Sequence, residues 1–458
     1  MGTVVIGAPE FDSFHLLDRL QRELTRRGHR VDTLCFDAAT AGFWQLQGLS
    51  ARQLQPAAAD AMRAPLAEFA ELQATARGLR RGSAARRRCV ERTQTLLARR
   101  LPACVRWFEA ERPDLVLLPG ARGAASQLLH FVARELGVRA LWLGPGLLPH
   151  TLQHDESGRD GDAGITRRVA GDYRDAPLQR TLLSSCLAHL LGCAEPAALS
   201  RRELRRPPWR TRAAGAWRAA RQDGLPAAAH AWNGWRAAWP APAPTEPDFE
   251  LPRAPFAAVL LQDPDDPRVR LDAPDAPDAS QLVAAASQAT AAIDRDIRLA
   301  VVLPPRGLHH RQLAALAADP AVRLLPHAAA IDAAATALAT FTINHPLAIT
   351  AMLTATPVLH CGRALYGLGG VTHRGPSAGF LDVLGPALAA DRDTLRERLL
   401  TVLLGQDHLW CSGTHPDHNG LVGLANSIEA RLDSRAPRGA RPGHRTGPPW
   451  PLAAPLEP

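Results

Sequence analysis

The sequence predicts two α/β domains of the doubly wound, Rossmann-like kind, facing each other across a cleft. Three observations lead there. Strand and helix signals alternate in both halves of the chain. A stiff stretch, Pro240-Ala-Pro-Ala-Pro-Thr-Glu-Pro247, parts the halves. The length, 458 residues, exceeds that of one ordinary domain.

The N-terminal half opens on the apolar run Val4-Val5-Ile6-Gly7, of strand length. Residues 14–27 follow with apolar positions at helical spacing. Gly28 ends that helix and residues 31–36 return as a strand, a βαβ opening. An arginine-rich helix is expected at 80–100, a buried strand at 113–118, a helix at 127–136 and a strand at 139–143. Past the linker, strands are expected at 257–262, 298–303, 322–325, 339–343 and 357–360. These spans predict an N-terminal domain over 1–200 and a C-terminal domain over 251–433. Arg/Trp-rich connecting helices and the linker would fill 201–250, and 434–458 would be a disordered Arg/Pro/Gly tail.

All 53 basic residues are arginine, and formal net charge is +8. The absence of lysine excludes Schiff-base chemistry and a GxxxxGK[ST] phosphate loop. The basic balance suits an anionic partner such as a nucleotide or anionic lipid. No nucleic-acid module is recognisable, so nucleic acid is not expected. The seven cysteines form no CxxC pair, which predicts buried thiols in a reduced compartment. There is no basic leader before the first strand and no apolar run of membrane-spanning length. The expectation is a cytoplasmic protein, peripheral at the inner membrane at most. Trp209, Trp217, Trp232, Trp235 and Trp239 lie among arginines between 201 and 250. A linker helix docked by its aromatic stripe is the favoured reading, and an interfacial helix on anionic membrane the other.

Candidate chemistry concentrates in residues 340–372. Asn344 is expected to cap a helix, with Pro346 in its first turn. Such a helix start is an anion site, and Arg363 in the loop after the next strand would lie beside it. Tyr366 would stack on a base or pack as core. His345 would donate to a phosphate or be a plain first-turn residue. Gly120-Ala-Arg-Gly123 is a short glycine loop after a strand that would meet the acceptor; it lacks the GxGxxG spacing of dinucleotide sites. No HExxH pattern accompanies the histidines of the C-terminal half and no Gly-x-Ser-x-Gly elbow exists, so neither a metal centre, a cofactor nor a serine hydrolase is expected.

Two α/β domains around a cleft are the layout of GT-B glycosyltransferases, and the residues extend that likeness. Asn344, Pro357, Gly362, Arg363, Tyr366 and Thr372 resemble the C-terminal motif of the capsule polysaccharide biosynthesis and export family, which includes Kdo transferases using CMP-Kdo. The segment Gly144 to Gly158, with Pro149, Thr151 and Asp155, resembles that family's Gly-x-x-Arg-Pro-x-Thr-x-x-x-Asp-x-x-Gly stretch. Gln262-Asp263 resembles the opening of its second domain. The resemblance implies an inverting, metal-independent transferase with a nucleotide sugar, CMP-Kdo first, as donor and a lipid or glycan as acceptor. Asp155 or His154 would take the acceptor proton. Thr151, Gln262, Asn344, His345, Gly362, Arg363, Tyr366, Thr372 and the Gly120 loop would bind substrate. The chain departs from the pattern in four places. Gly144-Pro145 replaces an acidic position and Thr350 a glutamate. Asn344-His345-Pro346 replaces an Asn-Ser-Thr turn. Leu303-Pro304-Pro305-Arg306 replaces a phosphate-binding His-Pro, so Arg306 or His309 would serve instead. These departures also admit a non-catalytic member acting as a scaffold subunit of polysaccharide export.

Overall fold

The structure is a computed structural model that describes residues 1–9, 13–55, 64–119, 122–192, 217, 249–305, 307–390, 393–413 and 416–434. Two sheets organise it. The first holds β1 (Thr3–Gly7), β2 (Arg30–Cys35), β3 (Ala51–Gln53), β4 (Leu115–Pro119), β5 (Arg139–Pro145) and β6 (Leu152–Asp155). The second holds β7 (Phe256–Leu260), β8 (Arg298–Val302), β9 (Val322–Leu325), β10 (Thr340–Thr342), β11 (Val358–His360) and β12 (His373–Arg374).

The two sheets share one strand order. The first runs β3-β2-β1-β4-β5-β6 and then β13 (His408–Leu409); the second runs β9-β8-β7-β10-β11-β12. Each is the 3-2-1-4-5-6 order of a dinucleotide-type domain. The second sheet is parallel throughout. In the first, β6 and β13 are antiparallel. The strands predicted from apolar runs are all present, the central ones because their residues are buried on both faces, as Val4, Val5, Ile6, Val259 and Val301 are. The expected pair of Rossmann-like domains is what forms.

The domain limits differ from the expectation. The C-terminal helix His418–Asp433 does not stay with the second sheet. Its Leu421, Leu424, Ile428 and Leu432 enter the first domain's core with Leu17, Leu20 and Leu24 of the helix Phe14–Arg26. Arg27 and His29 pair with Glu429 at 2.6 and 3.0 Å. In the other direction, Leu183, Cys186 and Leu190 of the helix Arg180–Gly192 join Leu399, Leu400 and Leu403 in the second domain's core. Each half thus donates a closing helix to the other. Periodicity names the apolar face of a helix but not the surface that covers it. Most of 201–250, and 434–458 beyond Ser434, lie outside the described residues.

Six thiols are described, all free: Cys35, Cys104, Cys186 and Cys411 are buried, Cys89 and Cys361 half-buried. Among the described residues no helix is long and apolar enough to cross a membrane.

Candidate functional site between the two sheets

In a doubly wound sheet the strand order reverses beside the first strand, and the crevice at the carboxyl ends there is the natural ligand site. The reversal lies between β1 and β4 in the first domain and between β7 and β10 in the second. Arg122 follows β4, Gln262 follows β7, and Asn344 follows β10. The structure brings the two switch points together.

At their meeting stands an ionic cluster. Arg122 donates to both oxygens of Asp272, at 3.0 and 2.5 Å, and to Asp162 at 2.7 Å. Arg363, from the loop after β11, donates to Asp162 at 3.0 Å and to Asp272 at 2.9 Å. Arg122 and Asp162 belong to the N-terminal half, Asp272 and Arg363 to the C-terminal half, so the cluster is a seam. Asp272 is 3% exposed and Arg122 6%. Burial pushes the Asp272 carboxyl up from its ordinary range, while the Arg122 and Arg363 guanidiniums pull it down. Burial also works against the Arg122 charge, yet Asp272 and Asp162 carry its pKa upward. Two guanidiniums within 3.0 Å of the Asp272 carboxylate make the ionised form the one this geometry holds.

Gly161 lets the halves approach this closely. A Cβ there would run into the Asp272 carboxylate and lie 3.1 Å from Arg363 Cβ. The backbone of Gly161 also donates to Asp272 and accepts from Arg363. Between Gly146, Asp160, Arg268, Asn344, Arg363 and Tyr366 about 20 Å³ remains, room for roughly one water. Asp160 lines this space with φ +52, a left-handed conformation uncommon outside glycine.

Asn344 does not cap a helix. The helix Ala348–Leu353 starts after Leu347 and has no side-chain cap. Asn344 accepts from Gln262 Nε2 at 2.9 Å, and its own backbone N–H donates to Gln262 Oε1 at 2.8 Å. Its Nδ2 donates to the carbonyls of Arg268 and Arg363. The pair therefore ties the ends of β7 and β10 to the short helix Pro267–Asp272, which carries Arg268, and to the loop that carries Arg363. The anion site expected at this helix start is absent too, because its first amides donate to His345, Pro346 and Leu347 carbonyls.

Around Arg363 the loop is held from inside. Gly362 has no room for a side chain: a Cβ would lie 2.9 Å from Ala273 Cβ. Tyr366 is fully buried and donates to the His345 carbonyl at 3.0 Å, so it is core and not a stacking platform. His360 Nδ1 lies 2.8 Å from the Gly362 carbonyl and so carries the proton. Its Nε2 accepts from the Thr372 hydroxyl at 3.1 Å. Burial brings the His360 pKa down to about 4. His345 is buried as well, and its Nδ1 accepts from the Leu347 amide. Burial, with His327 and Arg268 nearby, brings it down to about 3. A neutral, enclosed His345 offers a phosphate no charge.

The remaining predicted residues do not gather at the seam. Asp155 Oδ1 accepts from the Ser157 and Gly158 amides at 2.6 and 3.1 Å, and Oδ2 from Gly164 at 2.8 Å. Both oxygens thus hold a loop. His154 is buried beside Arg431, 3.0 Å from Nδ1, and burial brings it down to about 4. The Thr151 hydroxyl donates to the Leu148 carbonyl at 2.7 Å. His309 is exposed and accepts from the Arg311 amide at the start of the helix His310–Ala317. Gly120 and Arg306 lie outside the described residues. Sequence reasoning missed Arg122, Asp162 and Asp272. The glycine loop around Arg122 was a signal for the first; nothing local marks the other two.

Fold and cleft together define a protein of GT-B-like architecture, two Rossmann-like domains meeting at their switch points. No protein-family model and no curated protein matches the chain. Among solved structures it is similar to the calicheamicin glycosyltransferase CalG4, at 14% identity and TM-score 0.38 over 95% of this chain and 100% of that one. The kitacinnamycin glycosyltransferase gives 14% and 0.36 over 94% and 98%. The spinosyn rhamnosyltransferase SpnG gives 14% and 0.34 over 94% and 100%. Likeness at these TM-scores bears no functional argument.

Proposed function

We propose that this chain is a glycosyltransferase that binds a nucleotide sugar at the seam and transfers its sugar to a lipid or glycan acceptor. The observation that carries the reading is the convergence of Arg122 and Arg363, one from each half, at the paired switch points. Guanidinium forks suit phosphate oxygens, and a donor's phosphate must be stabilised as it departs with the bonding electrons. The motif around Arg363 makes CMP-Kdo the first donor and capsular or surface polysaccharide the first setting. Asp160 is our candidate base, because it lines the cleft and its strained backbone marks a site where geometry is imposed. Asp155 becomes a positioning residue that holds the loop bearing Asp160.

The pairing of both arginines favours a second reading. With Arg122 and Arg363 already held by Asp162 and Asp272, the same architecture serves a non-catalytic scaffold subunit of polysaccharide export, its arginines permanently paired. A thermal-shift panel of CMP, UDP, GDP, dTDP and their sugars separates the two. A ligand bound only by the folded state raises Tm. A shift with a cytidine nucleotide supports the Kdo donor, and a shift with another nucleotide keeps the transferase and changes the donor. No shift on a folded sample supports the scaffold. Arg363→Ala should weaken nucleotide binding; unchanged affinity would remove that residue from the site.

A further inference from the structure

The helix Ala84–Glu111 carries its charges the wrong way round for a helix standing in water. Its first turn has no acid and its last turn no base. Arg86, Arg87 and Arg88 crowd the N-terminal end, where the helix dipole repels cations, and Glu109 and Glu111 sit at the other end, where it repels anions. Arg88 and Arg92 stand four residues apart, a like-charge pair that weakens a helix further.

These arginines form a stripe. Arg88, Arg92, Arg99 and Arg106 follow at intervals of four, seven and seven, which keeps them on one face. All four are exposed. Among the described residues none of their side chains has an ion pair or hydrogen bond. Leu96, 40% exposed, falls on the same face between Arg92 and Arg99. The stripe is about 27 Å long at the rise of an α-helix. Two exposed arginines of the helix Phe14–Arg26 instead find carboxylates within a turn: Arg22 pairs with Asp18 and Arg26 with Glu23. The opposite face of the helix is ordinary core, with Leu97, Leu101, Cys104 and Phe108 buried.

We infer that this stripe is a docking surface for an anionic lipid bilayer. Headgroup phosphates supply the charge that the helix lacks on that face, and they relieve its unfavourable N-terminal charge. Leu96 between guanidiniums suits the boundary of headgroups and acyl chains; a nucleic-acid backbone gives an apolar side chain nothing to bury in. The inference rests on the surface alone, so it stands or falls apart from the transferase reading.

The test is co-sedimentation of the full chain with phosphatidylcholine vesicles, with and without phosphatidylglycerol. Each arginine near an anionic surface strengthens binding roughly fivefold. The variant Arg88→Gln/Arg92→Gln/Arg99→Gln/Arg106→Gln should therefore bind phosphatidylglycerol vesicles at least about a hundredfold more weakly, with Tm unchanged or raised. A control, Arg167→Gln/Arg174→Gln/Arg253→Gln/Arg295→Gln, removes the same charge from other exposed sites and should bind nearly as wild type. Leu96→Ala should bind less tightly at high salt. Equal loss in both quadruple variants would reduce the effect to net charge and overturn the inference. So would wild-type binding that ignores phosphatidylglycerol, or tighter binding to duplex DNA than to anionic vesicles.

Discussion

Replacing Asp272 with Asn removes one charge from the seam while keeping shape and volume. The two contacts there have different weight. In the Arg363–Asp272 pair the arginine side chain is 39% exposed, a regime where an ion pair contributes about 0–1 kcal/mol. The Arg122–Asp272 pair is 5% and 1% exposed, and breaking a buried pair costs about 3–5 kcal/mol when the remaining charge stays buried. Here the partners belong to opposite halves, so the cleft can open and hydrate Arg122. That relief places the loss near the lower end, about 3 kcal/mol. A domain of this size loses roughly 2–4 °C per kcal/mol, which makes the drop in Tm about 6–12 °C. Circular dichroism melting reads the drop, and solution scattering reads the accompanying increase in radius of gyration. Anionic ligands should also bind more tightly, since they no longer displace a carboxylate. An unchanged Tm with unchanged scattering would show that the seam does not hold the halves together.

Four other outcomes follow from named contacts. Gly161→Ala puts a methyl into the Asp272 carboxylate and should open the cleft as Asp272→Asn does; scattering identical to wild type would contradict the close approach. Asp155→Asn should lower Tm, because at least one of three amide donors loses its charged acceptor; lost turnover at an unchanged Tm would restore it as the base. Asp160→Asn should abolish transfer with Tm preserved, and full activity would remove it from the mechanism. Acid should destabilise the protein early. Burial brings His130, His154, His360 and His408 to about 4 and His345 to about 3. The unfolded chain takes up protons below about pH 6.5 while the native histidines stay neutral, so each loses roughly 1.4 kcal/mol per pH unit from there down to its folded value. Asp407, pushed up to about 6 by burial, works the other way, its desolvation cost easing as it protonates. The histidines outnumber it, and a Tm that stays flat from pH 7 to about pH 5 would contradict the balance.

The sequence carried most of the scaffold. Runs such as Val4-Val5-Ile6 and Leu115 to Leu118 are strands because burial on both faces leaves polar side chains no place. Their order through the chain implies a doubly wound sheet. The exchange of closing helices was not legible, because Leu421, Leu424 and Ile428 would suit either core. At the site, the Arg363 loop was visible through Gly362 and its neighbours, although Tyr366 and Thr372 turn out to support the loop from within. Asn344 misled for a physical reason: Asn two residues ahead of Pro346 reads as a cap, yet the Gln262 amide, distant in sequence, satisfies it instead. Asp272 could not be read at all, since an Asp at the end of a short helix gains its meaning only from Arg122, 150 positions away.

The central claim is that Arg122 and Arg363 together receive a nucleotide phosphate. Isothermal titration calorimetry of CMP, UDP, GDP and dTDP into the wild-type chain, Arg122→Ala and Arg363→Ala tests it most directly. The account predicts that one nucleotide binds the wild type and that either substitution weakens it at least about tenfold, as the loss of a charge-assisted contact should. Binding that survives both substitutions, or no binding by the folded wild type, would contradict it.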